Sequence, residues 1–297
     1  MQSNTNFKDI EAYLDYWDNF FEKWEKSPEA TFEEDVIWKN REGKGETKLE
    51  YDVFPQPYLG NYENHSVITL NLNPSRSKKY GNENFKEPDL NPEYKYKEYA
   101  KGFPTYYTHP FWQNQDKWID RIFKDLGKGK PSEKKIKPFA IEICPWGSKS
   151  FQKLKIKKDD PLIKYMDHYV FDVIEKVIEH SKLKMVISVG KAYYDIFQKS
   201  EFKRVDEISS NPFRKEVFKF SNDKYKTHLD LSPSENNKLI EKVPYNWPFK
   251  FVQRSFSIWE KAGIFYFNTY ASGSNSTPGV HFDEIQNDLI KRHLQKN

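Results

Sequence analysis

Three short runs of aliphatic and β-branched residues most restrict what this chain can fold into. They are residues 66–72 (SVITLNL), 138–144 (PFAIEIC) and 184–189 (KMVISV). Each stops at a polar or glycine-bearing turn: Asn73-Pro74-Ser75, Pro145-Trp146-Gly147 and Gly190. Continuous apolar runs of this length read as strands buried on both faces, the kind found in sheets that helices cover. Helical spacing lies around them. Ile10, Leu14, Trp17, Phe21 and Trp24 predict an amphipathic helix over 6–26, ended by Ser27-Pro28. Further helices are predicted over 115–126, over 167–181, after Gly190 through Phe197, and over about 281–294. Residues 249–253 and 263–270 (GIFYFNTY) read as later strands, 39–50 as a loop, and 76–112 as a long irregular stretch. Alternating strands and helices imply an α/β fold, three layers α/β/α around a mostly parallel central sheet. Asn73, Glu142, Gly190 and the 270–275 turn would then share the carboxyl edge, where such sheets hold ligands.

Composition decides whether the chain folds at all. A mean hydropathy of −0.92 and 31% charged residues suggest disorder, but aromatic residues make up 17% of the 297 positions. Disordered chains lack aromatics, so a folded chain is expected. No run approaches the ~20 apolar residues of a membrane span. The acidic, amphipathic start is unlike a signal peptide. Cys144 stands alone, which excludes an intramolecular disulfide and a multi-cysteine metal site. The histidines are scattered without metal-ligand spacing, and Gly127–Gly129 lacks the Gly-Lys-Ser/Thr of a phosphate loop. These features favour a soluble, cytoplasmic protein with no metal and no cofactor. The net charge of +4 is small, but lysines concentrate at 124–137 and 149–158. Such runs are either a solvated surface or a seat for phosphates.

Four segments resemble the uracil-DNA glycosylase superfamily. In PYLGNYENHSVITLNLNPS (57–75), Asn71-Leu72-Asn73-Pro74-Ser75 matches the Gly-Ile-Asn-Pro-Gly of the mismatch-specific thymine/uracil branch. IEICPW (141–146) is similar to the Asn-x-Cys-Pro stretch of the single-strand-selective branch. VISVGKAYYDIF (186–197) resembles the family's strand–Gly–Lys–Ala–helix step, and TYASGSN (269–275) falls where the family carries its His-Pro-Ser loop. The matches run in family order over about 57–280. Residues 51–297 would form the glycosylase-like domain and residues 1–50 a helical extension packed on its core. The chain departs from the family pattern at Asn71 and Ser75, which replace glycines, at Tyr270 and Ala271, which replace histidine and proline, and at Glu142, which replaces an asparagine.

The resemblance implies binding of a nucleobase in nucleic acid, DNA rather than RNA, and hydrolysis of an N-glycosidic bond. Asn73 would position the attacking water, with Tyr270 and Ser272 as its catalytic companions; an amide is a poor base, so positioning is the role available to it. Asn73 would equally well cap the turn before Pro74. Asn71, Ser75, Glu142, Gly190 and Lys191 would line the base site, and Ser274 and Asn275 would present a turn to phosphate. Phe103, Tyr107 and Phe111 would stack an extruded base or cover the sheet edge. Glu142 would accept from two adjacent donors, as guanine N1–H and N2–H or cytosine N4–H offer, and would repel uracil unless protonated. It would otherwise form a buried salt bridge to a residue such as Lys191, or act as an acid or base itself. The substitutions at Asn71, Glu142 and Tyr270 also suit a non-catalytic nucleic-acid or nucleotide sensor on the same fold.

Overall fold

The computed structural model describes residues 7–53, 55–72, 96–101, 119–120, 138–148, 156–157, 159–210, 219–220, 254–271 and 290–294. The chain divides into two compact units, Met1–His109 with Lys137–Met185, and Pro110–Ile136 with Val186–Asn297.

In the first unit, helix α1 (Ile10–Lys26) starts where the Asp9 carboxylate accepts from the Ala12 N–H at 2.9 Å. Glu11 in its first turn and Lys23 and Lys26 in its last suit the helix dipole. Its apolar stripe buries Ile10, Tyr13, Leu14, Trp17 and Phe21. Pro28 opens α2 (Pro28–Glu34), and α3 (Val36–Lys39) follows. Strand β1 (Tyr58–Leu59) runs antiparallel to β3 (Pro138–Glu142), and β2 (Val67–Asn71) runs parallel to β3 on its other side. Every residue of these strands is buried, as their unbroken apolar character demands.

Aromatic rings join α1 to one face of this sheet. Tyr13 lies 5.6 Å from Tyr58, and Tyr58 lies 5.7 Å from Phe139. Phe21 stacks on Tyr96 at 4.3 Å, and Tyr96 meets Tyr58 edge-on at 5.0 Å. Tyr96 begins α4 (Tyr96–Lys101), a helix inside the stretch expected to be irregular. Its start is capped from a distance: the Lys97 N–H donates to the buried Asp18 carboxylate at 3.0 Å. No local pattern announces a cap supplied by another helix.

The turn beyond β3 is held by the chain's beginning. Trp146 Nε1–H donates to Asp35 at 2.8 Å, and the backbone N–H groups of Glu50 and Gln56 donate to Gly147 and Pro145 at 2.9 and 2.8 Å. The predicted helix over 167–181 begins earlier, at Pro161, where Asp160 accepts from the Leu162 N–H. It runs as α5 (Pro161–Met166), a π turn at Asp167–Phe171, and α6 (Asp172–Val177). Beyond it, His65 bridges to Ser181 in parallel fashion.

The second unit continues from β4 (Met185–Val189) with helix α7 (Lys191–Lys199), then β5 (Lys203–Ser210), β6 (Lys219–Phe220), β7 (Arg254–Lys261) and β8 (Ile264–Ala271). Neighbouring strands are ordered β4-β8-β7-β5-β6. Strands β7 and β8 form a hairpin in which Lys261 faces Ile264. Its two loop residues, Ala262 and Gly263, have φ of 52° and 77°, the left-handed pair that a tight right-twisted hairpin requires. Helix α7 covers one face: Phe197 lies 5.6 Å from Tyr266 and 5.9 Å from Trp259. Residues 290–294 are helical, and His293 lies 5.3 Å from Phe265. Phe265 and Tyr266 alternate along β8, so helices meet both faces.

The α/β class is as expected, but antiparallel pairing is commoner than "mostly parallel" implies. Among the described pairs, β1–β3, β5–β6, β5–β7 and β7–β8 are antiparallel and β2–β3 is parallel. The predicted strand at 249–253 lies outside the described residues, and β7 starts at Arg254. Strand β5 was not expected: a register shift between Arg204 and Asp206 breaks its two-residue alternation.

Candidate functional site

The parallel register between β2 and β3 sets Asn71 opposite Glu142 at the carboxyl ends of both strands. Opposed residues of neighbouring strands project from the same face. Both positions are fixed by backbone hydrogen bonds on either side. Glu142 N–H donates to Pro57 at 2.9 Å, Ile143 N–H to Asn71 at 2.9 Å, and Cys144 N–H to Leu72 at 2.8 Å. The two side chains are thus held by rigid elements and not by loops. Asn71 is 5% exposed and Glu142 6%.

Three of their polar atoms, Glu142 Oε2 and Asn71 Nδ2 and Oδ1, make no hydrogen bond. Thr69 Oγ1, two residues earlier on the same face of β2, is likewise buried and unpaired. Leaving such groups unpaired costs about 1–3 kcal/mol each. Native chains keep few of them, and a cluster at a strand edge is a feature that a ligand would satisfy.

Burial pushes the Glu142 carboxyl up to about 8. The nearby Asn71 amide favours the carboxylate and opposes this weakly, without reaching hydrogen-bond geometry. Glu142 is therefore mostly protonated at neutral pH. In that state it offers one O–H donor and one acceptor, and Asn71 offers N–H donors and one acceptor. The expected repulsion of uracil applied to a carboxylate, so it is relieved below about pH 8. Among the described residues no cation contributes to the Glu142 shift. Cys144, beside this pair, keeps its thiol protonated through burial and bonds to the Trp146 carbonyl at 3.6 Å, as expected of a packing residue.

In the second unit, Gly190 ends β4 with φ of 140°, a conformation that favours glycine, and its N–H donates to Thr269 at 2.9 Å. Lys191 is exposed at the first turn of α7. The backbone of Tyr270 pairs with Ser255 in β8. Asn73, Ser75, Phe103, Tyr107, Phe111, Ser272, Ser274 and Asn275 lie outside the described residues, as does most of both lysine runs.

Sequence reasoning overlooked Thr69, although T-L-N at 69–71 carries the alternation that puts it beside Asn71. It also overlooked a buried polar row in the second unit. Ser188 Oγ–H donates to Asn268 Oδ1 at 3.0 Å, and Trp259 Nε1–H donates to Ser257 at 2.8 Å, where Ser257 faces Asn268 across β7 and β8. The polar pair in FYFNTY was the available signal. Among the described residues no group of three or more His, Cys, Asp or Glu could hold a metal ion, and no helix is long and apolar enough to cross a membrane. Comparison with protein-family models, curated proteins and solved structures found no match to this chain.

Proposed function

We propose that the chain is a uracil-DNA glycosylase-like protein that binds a nucleobase in DNA, with Asn71 and Glu142 reading the base edge. The observation that carries this reading is the set of three buried, unpaired polar atoms on two facing residues at the strand ends. A planar heterocycle with mixed donors and acceptors would complete them. The order of the four family-like segments, with strands at Val67–Asn71, Pro138–Glu142 and Met185–Val189 inside three of them, supports the same reading.

Hydrolysis of a damaged or modified base fits the pair chemically. Water adds to the sugar carbon as the C–N bond breaks, and the base leaves with the bonding electrons and needs a proton. A protonated Glu142 in hydrogen-bond reach of the base could supply that proton, and Asn71 N–H could stabilise negative charge on a carbonyl oxygen. Asn73 would hold the water. The second reading, a sensor without catalysis, is favoured by the presence of Asn71 and Glu142 where the family pattern has glycine and asparagine.

Incubation with oligonucleotides carrying different lesions, followed by detection of abasic sites, separates the two. Abasic sites formed by the wild-type chain and lost in Asn73→Ala support the enzyme. Salt-sensitive binding that weakens in Asn71→Ala without abasic sites supports the sensor. Absence of binding at every salt concentration contradicts both.

A further inference from the structure

We infer that the base held by Asn71 and Glu142 presents two adjacent N–H donors beside a carbonyl, an edge that guanine carries and the other DNA bases do not. The inference rests on the proposed base site and narrows it.

Glu142 is a carboxyl group, at a position where an amide would have served to meet a mixed donor–acceptor edge. Among the described residues no cation neutralises it. The neighbouring titratable group, the Cys144 thiol, stays protonated and carries no charge. Glu142 Oε2 has no hydrogen-bond donor, and the Asn71 amide that favours the carboxylate stays short of hydrogen-bond geometry, so a ligand can supply the donors. A carboxylate accepts most strongly when two parallel N–H groups reach its two oxygens. Guanine N1–H and N2–H are such a pair. The next atom along that edge is the carbonyl oxygen O6, to which the unpaired Asn71 Nδ2 can donate.

The other bases fit less well. Adenine sets the acceptor N1 beside its single amino group, and cytosine does the same with N3. Uracil and thymine have one N–H flanked by two carbonyls. Each sets at least one acceptor against the carboxylate, so each needs Glu142 to keep its proton. Guanine is the base whose recognition gains from ionising it. Binding then moves a proton: the Glu142 O–H bond breaks, the proton goes to solvent, and the carboxylate accepts from N1–H and N2–H. A guanine held this way receives no proton from Glu142, so its recognition narrows the sensor reading of the site and not the one in which Glu142 acts as acid. Because burial holds Glu142 up to about 8 in the free chain, guanine affinity rises with pH up to that value and levels off above it. A base bound to the protonated form shows the opposite trend.

The test is equilibrium binding of the full chain to oligoadenylates carrying a single central guanine, hypoxanthine, cytosine or uracil, followed by fluorescence anisotropy. Hypoxanthine keeps N1–H and O6 and lacks the 2-amino group, so this comparison does not depend on any variant folding. The guanine oligonucleotide is expected to bind tightest, and hypoxanthine about tenfold weaker or more. Guanine affinity should climb between about pH 6 and pH 8. Glu142→Gln should abolish both the preference and the pH dependence while leaving weak, salt-sensitive binding. Equal binding of guanine and hypoxanthine overturns the inference, as does a preference for uracil or cytosine, or affinity that falls as pH rises. If such a preference disappears in Asn71→Ala, the base-binding reading survives the loss of the guanine inference. If no oligonucleotide binds, both fail.

Discussion

Glu142 and His65 are buried ionisable groups whose environments act on stability in opposite pH ranges. Glu142 is raised from an ordinary 4.5 to about 8 in the folded chain. Folding therefore favours its protonated form. Its contribution is fully present below pH 4.5 and is lost as pH rises through about 8. Glu142→Gln removes that penalty. We predict equal stability of variant and parent near the ordinary carboxyl range, and a growing advantage for the variant above it, up to about 5 kcal/mol. Urea denaturation at acidic and alkaline pH measures the difference, and a variant less stable than the parent at alkaline pH would count against a buried, uncompensated carboxyl. His65 behaves inversely. Its Nδ1 lies 2.8 Å from the Tyr62 carbonyl, its Nε2 is unpaired, and burial lowers it from 6.5 to about 4. The stability that its neutral form contributes is fully present above pH 6.5 and is lost as pH falls through about 4. NMR of the imidazole should show the ring still neutral at about pH 5.5, where an unperturbed histidine is mostly charged.

At the scale of elements, the link between β1 and β2 depends on one glycine. Gly60 has φ of 106°, and a Cβ there would lie 2.5 Å from the Pro138 carbonyl oxygen at the start of β3. Gly60→Ala meets both backbone strain and collision with a strand that cannot move freely, so we expect a loss of about 2–4 kcal/mol in thermal or chemical denaturation. At the start of α1, Asp9→Ala should cost about 1 kcal/mol, because the Ala12 N–H loses its partner. Strands β2, β3 and β4 were legible in the sequence because burial on both faces leaves an unbroken apolar run. Helix α1 was legible because one buried stripe imposes helical spacing. Helix α4 was not, because its anchors are Asp18 and Phe21 of another helix. Strand β5 was not, because its bulge between Arg204 and Asp206 disrupts the two-residue alternation. Within the site, Glu142 stood out as a carboxylate in an apolar strand, whereas its pairing with Asn71 depends on the register of β2 against β3, which a single sequence does not encode visibly.

On the scale of the whole molecule, the beginning of the chain belongs to the first unit's interior. Trp17 is 1% exposed among Tyr13, Tyr16, Phe20 and Tyr169, and Asp35 holds Trp146 in the turn that follows Glu142. Trp17→Ala should therefore cost about 3–5 kcal/mol and weaken any ligand binding together with the fold. In the proposed complex a base contacts the facing pair Asn71 and Glu142 directly. The most direct measurement is the carbon-13 carboxyl resonance of Glu142, titrated with pH in the free chain and again with saturating single-stranded DNA. A shifted resonance and a displaced titration midpoint in the presence of DNA, both reduced in Asn71→Ala, are the predicted result. An identical titration with and without bound DNA would contradict the account.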